Sequence, residues 1–155
     1  MEFAGHALLV GVGATMVMDA WGLVRQPLLG MPRLDYALLG RWFGHMAAWR
    51  FRHQSIGAAA PVRGERLLGL LMHYLIGIGF AALLLEVWGL VWLHRPTLAP
   101  ALLVGIGTVA APLLLMQPAM GIGSGRSRLQ SLLTHTVYGI GLYLAGWADH
   151  LLFRL

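Results

Sequence analysis

The stretch MHYLIGIGF, residues 72–80, sets a histidine and a Gly-Ile-Gly inside a long apolar run, and THTVYGIGL, residues 134–142, repeats the pattern. An imidazole is ordinary in a soluble helix and costly inside a bilayer, so its surroundings decide the fold. Those surroundings are apolar. Hydrophobic residues make up 58 % of the 155 and charged residues 11 %, with a mean hydropathy of +0.71. A soluble domain carries about 25 % charged residues. The chain therefore reads as an integral membrane protein, a single transmembrane domain over residues 1–155.

A crossing takes roughly 20 apolar residues. Four segments reach that length, at about 3–24, 67–93, 99–122 and 129–153. The expected fold is all-α, an integral membrane four-helix bundle. No Lys or Arg precedes the first run, which is long enough to span rather than serve as a cleaved signal. The net charge of +5 could suit a nucleic-acid binder, but the basic residues lie between the apolar runs. All 11 are arginine, and cysteine is absent, which removes disulfides, thiol chemistry and Cys-based metal sites.

The loops orient the chain. Arg25, Arg33, Arg41, Arg50, Arg52 and Arg63 fall between the first two spans, with Arg66 at the edge. The second loop holds Arg95, the third Arg126 and Arg128. The positive-inside rule makes the first and third loops cytoplasmic and both termini periplasmic, in a bacterial inner membrane. Pro27, Gly30 and Pro32 are expected to end the first helix. After them, residues 35–52 have a helical period, with Leu39, Trp42, Phe43, Met46 and Trp49 on one side and Arg41, His45 and Arg52 on the other. That pattern predicts an amphipathic helix in the cytoplasmic interface, apolar face down.

His73-x3-Gly77-Ile78-Gly79 matches His135-x3-Gly139-Ile140-Gly141, and Gly11-Val12-Gly13 has an echo in Gly105-Ile106-Gly107. A helical hairpin written twice would give parallel repeats. Close helix packing alone also accounts for glycines at such spacings.

Counted from the cytoplasmic end of each span, Asp19, His73, Gln117 and His135 all lie some five or six residues in. At roughly 1.5 Å per residue that is about 8–10 Å deep. Each span contributes one member of a polar layer. Ionisable groups inside a span point to a functional site facing the protein interior; the plain alternative is interhelical hydrogen bonding.

Three chemistries suit the layer. His73 and His135 could ligate haem b across the core, with Gly77 and Gly139 one turn on clearing room for the macrocycle. Asp19, His73 and His135 form a two-histidine, one-carboxylate set for a transition metal ion. A proton-coupled carrier could titrate the same groups, with Pro112 and Pro118 breaking the third helix around Gln117. His45, Arg41 and His53 are expected to cap the layer from the loop, and Gln117 to hydrogen-bond within it. A structural subunit of a larger membrane complex is the remaining reading. The partners expected are the lipid bilayer and a homo-oligomer or membrane-complex subunit, with no nucleic acid. His6, Glu86, Asp149 and His150 sit toward the other end, where polar side chains reach water. Phosphate loops, His-x3-His boxes and HExxH are absent from the sequence.

The segments GATMVMDAW, GRWFGH, HYLIGIGFA, MQPAMGIG and HTVYGIGLY span nearly the whole chain. In them it resembles an uncharacterised bacterial family of small membrane proteins, domain of unknown function 2938. The resemblance implies a four-span membrane protein and supplies no activity and no catalytic residues.

Overall fold

Apolar composition leaves the backbone to satisfy its own hydrogen bonds, and the chain does so by helix. The computed structural model describes residues 2–154, which hold helices and turns and no strand. The helices are α1 (Phe3–Leu29), α2 (Tyr36–Met46), α3 (Glu65–Trp88), α4 (Leu98–Gly107), α5 (Gln117–Met120) and α6 (Gly125–Phe153). A π-helical stretch, Ala111–Met116, joins α4 to α5. Three helical segments are long and apolar enough to cross a membrane: Phe3–Leu29, Glu65–Trp88 and Leu98–Met120. Helix α6 has the length, but Arg126, Arg128, Gln130, Ser131, Thr134 and His135 lower the hydropathy of its first half.

Helix α1 is central, packed between α3 on one side and α6 on the other, while α4 lies against α6. Its buried stripe is Ala7, Val10, Gly11, Ala14, Thr15, Gly22 and Arg25, the three-and-four spacing of one helical face. The main core gathers Ala7, Val10 and Ala14 of this stripe with Leu84, Leu85, Leu93, Tyr138 and Leu142.

Two boundaries differ from the sequence reading. Helix α1 passes through Pro27 and stops at Gly30, whose left-handed backbone (φ 60°) closes the turn by donating to the Gln26 carbonyl. A proline in the last turn gives up only one helical hydrogen bond, so it bends the choice of stop rather than making it. Helix α2 ends at Met46 instead of continuing to 52, and Trp49 is left 84 % exposed off the helix. Part of its apolar face packs on protein. Leu39 and Trp42 are buried against Ile56, Ala119 and Met120 in a second core.

The docking of α2 on α3 brings backbone against backbone. A Cβ on Gly40 would strike the Glu65 carbonyl, and one on Gly69 the Tyr36 carbonyl. Segment 50–60 then lies over α5, tied by the His53 amide donating to the Ala119 carbonyl at 2.8 Å.

Candidate functional site

Asp19 sits where α1 faces both α2 and α3. Its carboxylate accepts three side-chain hydrogen bonds, from Tyr36 Oη at 2.7 Å, His73 Nε2 at 2.9 Å and Tyr74 Oη at 3.1 Å. The three donors between them satisfy both carboxylate oxygens. Tyr36 lies outside the spanning helices. Burial and the neighbouring Asp19 raise its phenol above the ordinary value, so it stays a donor.

His135 has a different partner. The Thr108 hydroxyl gives its proton to the Gly105 carbonyl at 2.8 Å and meets His135 Nδ1 at 3.0 Å. Nδ1–H therefore donates to the hydroxyl, and Nε2 keeps its lone pair. The two histidines do share one space. A cavity of about 150 Å³ is lined by both, together with Ile76, Phe80, Met116 and Tyr138. Beside it lies a second chamber of about 180 Å³, lined by Asp19, Arg25, Arg33, Tyr36 and His73. His73, Arg25 and Thr134 belong to both.

Other members of the expected layer are elsewhere. Gln117 Nε2 donates to Ser131 Oγ at 2.9 Å, and Ser127 Oγ reaches Gln117 Oε1 at 3.4 Å, so Gln117 ties α5 to α6. A π-helical stretch, with its wider turn, immediately precedes Gln117.

Arg41, His45 and His53 do not cap the chambers. Arg41 holds Glu65 in a two-pronged pair, Nε–Oε2 2.8 Å and Nη2–Oε1 2.7 Å, and gives Nη1 to the carbonyls of Ile56, Gly57 and Ala59. His45 donates from Nε2 to the Ala60 carbonyl at 3.0 Å, so its Nδ1 accepts from His53 Nε2 at 2.7 Å. Burial, His45 and Arg50 hold the His53 imidazole below its usual value. The three residues knit the α2–α3 connection.

Gly77 and Gly139 both stand at helix contacts, and Gly77 also lines the cavity shared by the two histidines. A Cβ on Gly77 would run into the Thr15 hydroxyl of α1; one on Gly139 would lie 2.9 Å from the Ala101 carbonyl of α4. The opening between α3 and α6 at this level is bridged by Tyr138, whose Oη donates to the Gly77 carbonyl at 2.6 Å. Among the described residues no three His, Asp or Glu side chains gather as a metal site would need.

At the far end, His6 Nδ1 donates to Asp149 at 2.8 Å, both side chains buried, clasping α1 to α6. Glu86 is exposed there, and His150 Nδ1 donates to the Leu93 carbonyl at 3.1 Å.

Sequence reasoning missed Tyr36, Tyr74, Thr108 and Arg25. Arg25 was legible: it continues the buried stripe of α1 at Thr15, Gly22 and Arg25 once the helix is allowed past Pro27. The tyrosines carry no such signal, because phenols are common at membrane interfaces whether or not they hold a carboxylate.

No curated protein and no solved structure matches the chain. Its residues 8–149 match the model of a family described as protein of unknown function, DUF2938, and the chain belongs to that family.

Proposed function

We propose that this chain is a four-span inner-membrane domain that binds a small molecule between α1, α3 and α6 and exchanges a proton with it through Asp19 and His73. The observation that carries the reading is the place of His73, hydrogen-bonded to the Asp19 carboxylate while lining both chambers. A carboxylate–imidazole pair beside a cavity in a span is the arrangement of a proton relay. Its chemistry suits a small proton-coupled carrier or a ligand sensor.

Helix α6, 29 residues long and packed along α1, supplies the fourth crossing. Arginine-rich segments at one end support a cytoplasmic side there, with both termini on the periplasmic side. The α1–α3 and α4–α6 pairs support a repeated hairpin. Gly11 of α1 meets the backbone of Ile78, and Gly105 of α4 meets that of Gly139, contacts that fall within one position of each other when the two sequence motifs are aligned. Helix α2 and segment 50–60 form the cytoplasmic cover of the site rather than a free interfacial anchor.

Geometry favours a small ligand over haem b. An apolar cavity near 150 Å³ holds about one benzene, and the Tyr138 side chain, 2 % exposed, occupies the line a macrocycle would need. A transition metal ion on Asp19, His73 and His135 would have to take Asp19 from two tyrosines.

The test starts with the protein purified in detergent. A colourless, metal-free protein is expected, and a Soret band lost in both His73→Ala and His135→Ala would replace this reading with haem. A thermal-shift screen of small metabolites should then yield ligands whose effect disappears in Ala111→Phe, which drives a ring into the cavity. Proteoliposome uptake of such a ligand should acidify the lumen and should fail in Asp19→Asn. A screen without a cavity-dependent ligand would overturn the proposal.

A further inference from the structure

Arg25 is the single arginine within α1, and it is 3 % exposed. Nη1 donates to Thr134 Oγ1 at 2.9 Å and Nη2 to the Pro32 carbonyl at 3.0 Å, while Nε has no partner. Both acceptors are neutral. Thr134 has already given its own proton to the Gln130 carbonyl, and Pro32 also accepts from Gln130 Nε2. The ion pairs among the described residues are His6–Asp149, Arg41–Glu65 and His73–Asp19, and Arg25 belongs to none of them.

Arg41 shows how this chain treats a guanidinium when the purpose is structural. It receives a carboxylate on two prongs and three carbonyls besides. Arg25, deeper and more buried, receives no counter-charge. Removing a cation from water without an anion is strongly unfavourable, so its neighbourhood is incomplete as it stands. The nearest carboxylate of the chamber, Asp19, already has three donors. Arg33 adds a second positive charge to the same wall, its Nε on Gln26 Oε1. The polar chamber is therefore net positive, and it opens beside an apolar one walled by Ile76, Phe80, Met116 and Tyr138.

We infer that the ligand is a small organic anion, a carboxylate on an apolar body of about one ring or a short alkyl chain, with its head on Arg25 and its body against Phe80 and Tyr138. The inference rests on the small-molecule site proposed above and names its substrate class. A guanidinium with free N–H groups is the side chain best shaped for a carboxylate, which it can take on two parallel bonds. With an anion there, a proton taken up on the Asp19–His73 pair would accompany it as its counter-charge. An oxyanion could also arrive on a lipid headgroup, and the experiment separates the two sources.

The full chain, purified in a neutral maltoside at pH 8, is titrated by calorimetry with benzoate, hexanoate, benzamide and benzylamine. At least one carboxylate should bind about tenfold or more tighter than benzamide, as a charge-assisted pair in a desolvated site would give, and benzylamine should not bind. R25Q should lower carboxylate affinity to that of benzamide, and R25K should keep part of it. Comparable binding of benzamide and the carboxylates would leave the small-molecule site standing and overturn the anion. Binding of no probe would overturn both. Undiminished benzoate affinity in folded R25Q would overturn the assignment to Arg25; should R25Q not fold, the carboxylate-to-amide ratio of the natural chain decides alone. Stabilisation by phosphatidylglycerol that excess benzoate fails to displace would overturn the small carboxylate in favour of a lipid headgroup.

Discussion

His73 and His135 stand at matching places in the motifs of α3 and α6, each one turn before a glycine that meets a neighbouring helix. Beyond that the two halves part. His73 donates to a carboxylate held by two tyrosines as well, while His135 meets the hydroxyl of Thr108. Close crossing of helices is a matter of shape, which any pair of small residues satisfies. Polar partners are a matter of chemistry, and there one half carries a carboxyl group where the other carries a hydroxyl. A crossing can be kept while its chemistry is reassigned, because the glycine and the histidine sit on successive turns and answer to different neighbours.

The sharpest test of the common part is Gly77→Leu beside Gly139→Leu. Each puts a side chain where another helix already lies, and each should cost about 3 kcal/mol or prevent folding. Unfolding in mixed detergent would measure both, and a variant tolerated in one half would end the equivalence of the crossings. The difference between the halves is smaller. Asp19→Ala strands three donors and should cost about 2–4 kcal/mol, whereas Thr108→Val should cost about 1 kcal/mol. Equal losses would mean that the carboxylate is no more than another hydrogen-bond acceptor.

The smallest effect lies outside both halves. The His53 imidazole is held below its ordinary 6.5 by burial, His45 and Arg50. As the pH falls through that ordinary value the unfolded chain takes the proton first, so stability declines on acidification and is fully present above it. His53→Gln should flatten the pH dependence of the melting temperature between about pH 6.5 and lower values. An unchanged slope would place the titration elsewhere.

Much of this was legible in the residues. Asp19 and His73 stand out as polar groups in apolar runs, and matching depth along antiparallel helices brings them together. Composition called for long apolar helices, and three segments prove long and apolar enough to cross a membrane. Gln117 hydrogen-bonds Ser131 rather than Asp19, a choice of partner that counting depth along each span does not make. Arg41 reads as a cap on the site only while its partner is unknown; Glu65, at the start of α3, is reached through a loop whose path no periodicity describes.

The contact of Gly69 with the Tyr36 carbonyl reaches further than packing. Tyr36 opens α2, and its phenol meets Asp19 at 2.7 Å from a backbone pinned against α3. The aim of that phenol is thus set by a hydrogen atom standing where a methyl would be, on a helix that lends Asp19 two other donors. A one-carbon change at Gly69 would act as a set-screw, backing the tyrosine off the carboxylate while leaving His73 and Tyr74 in place.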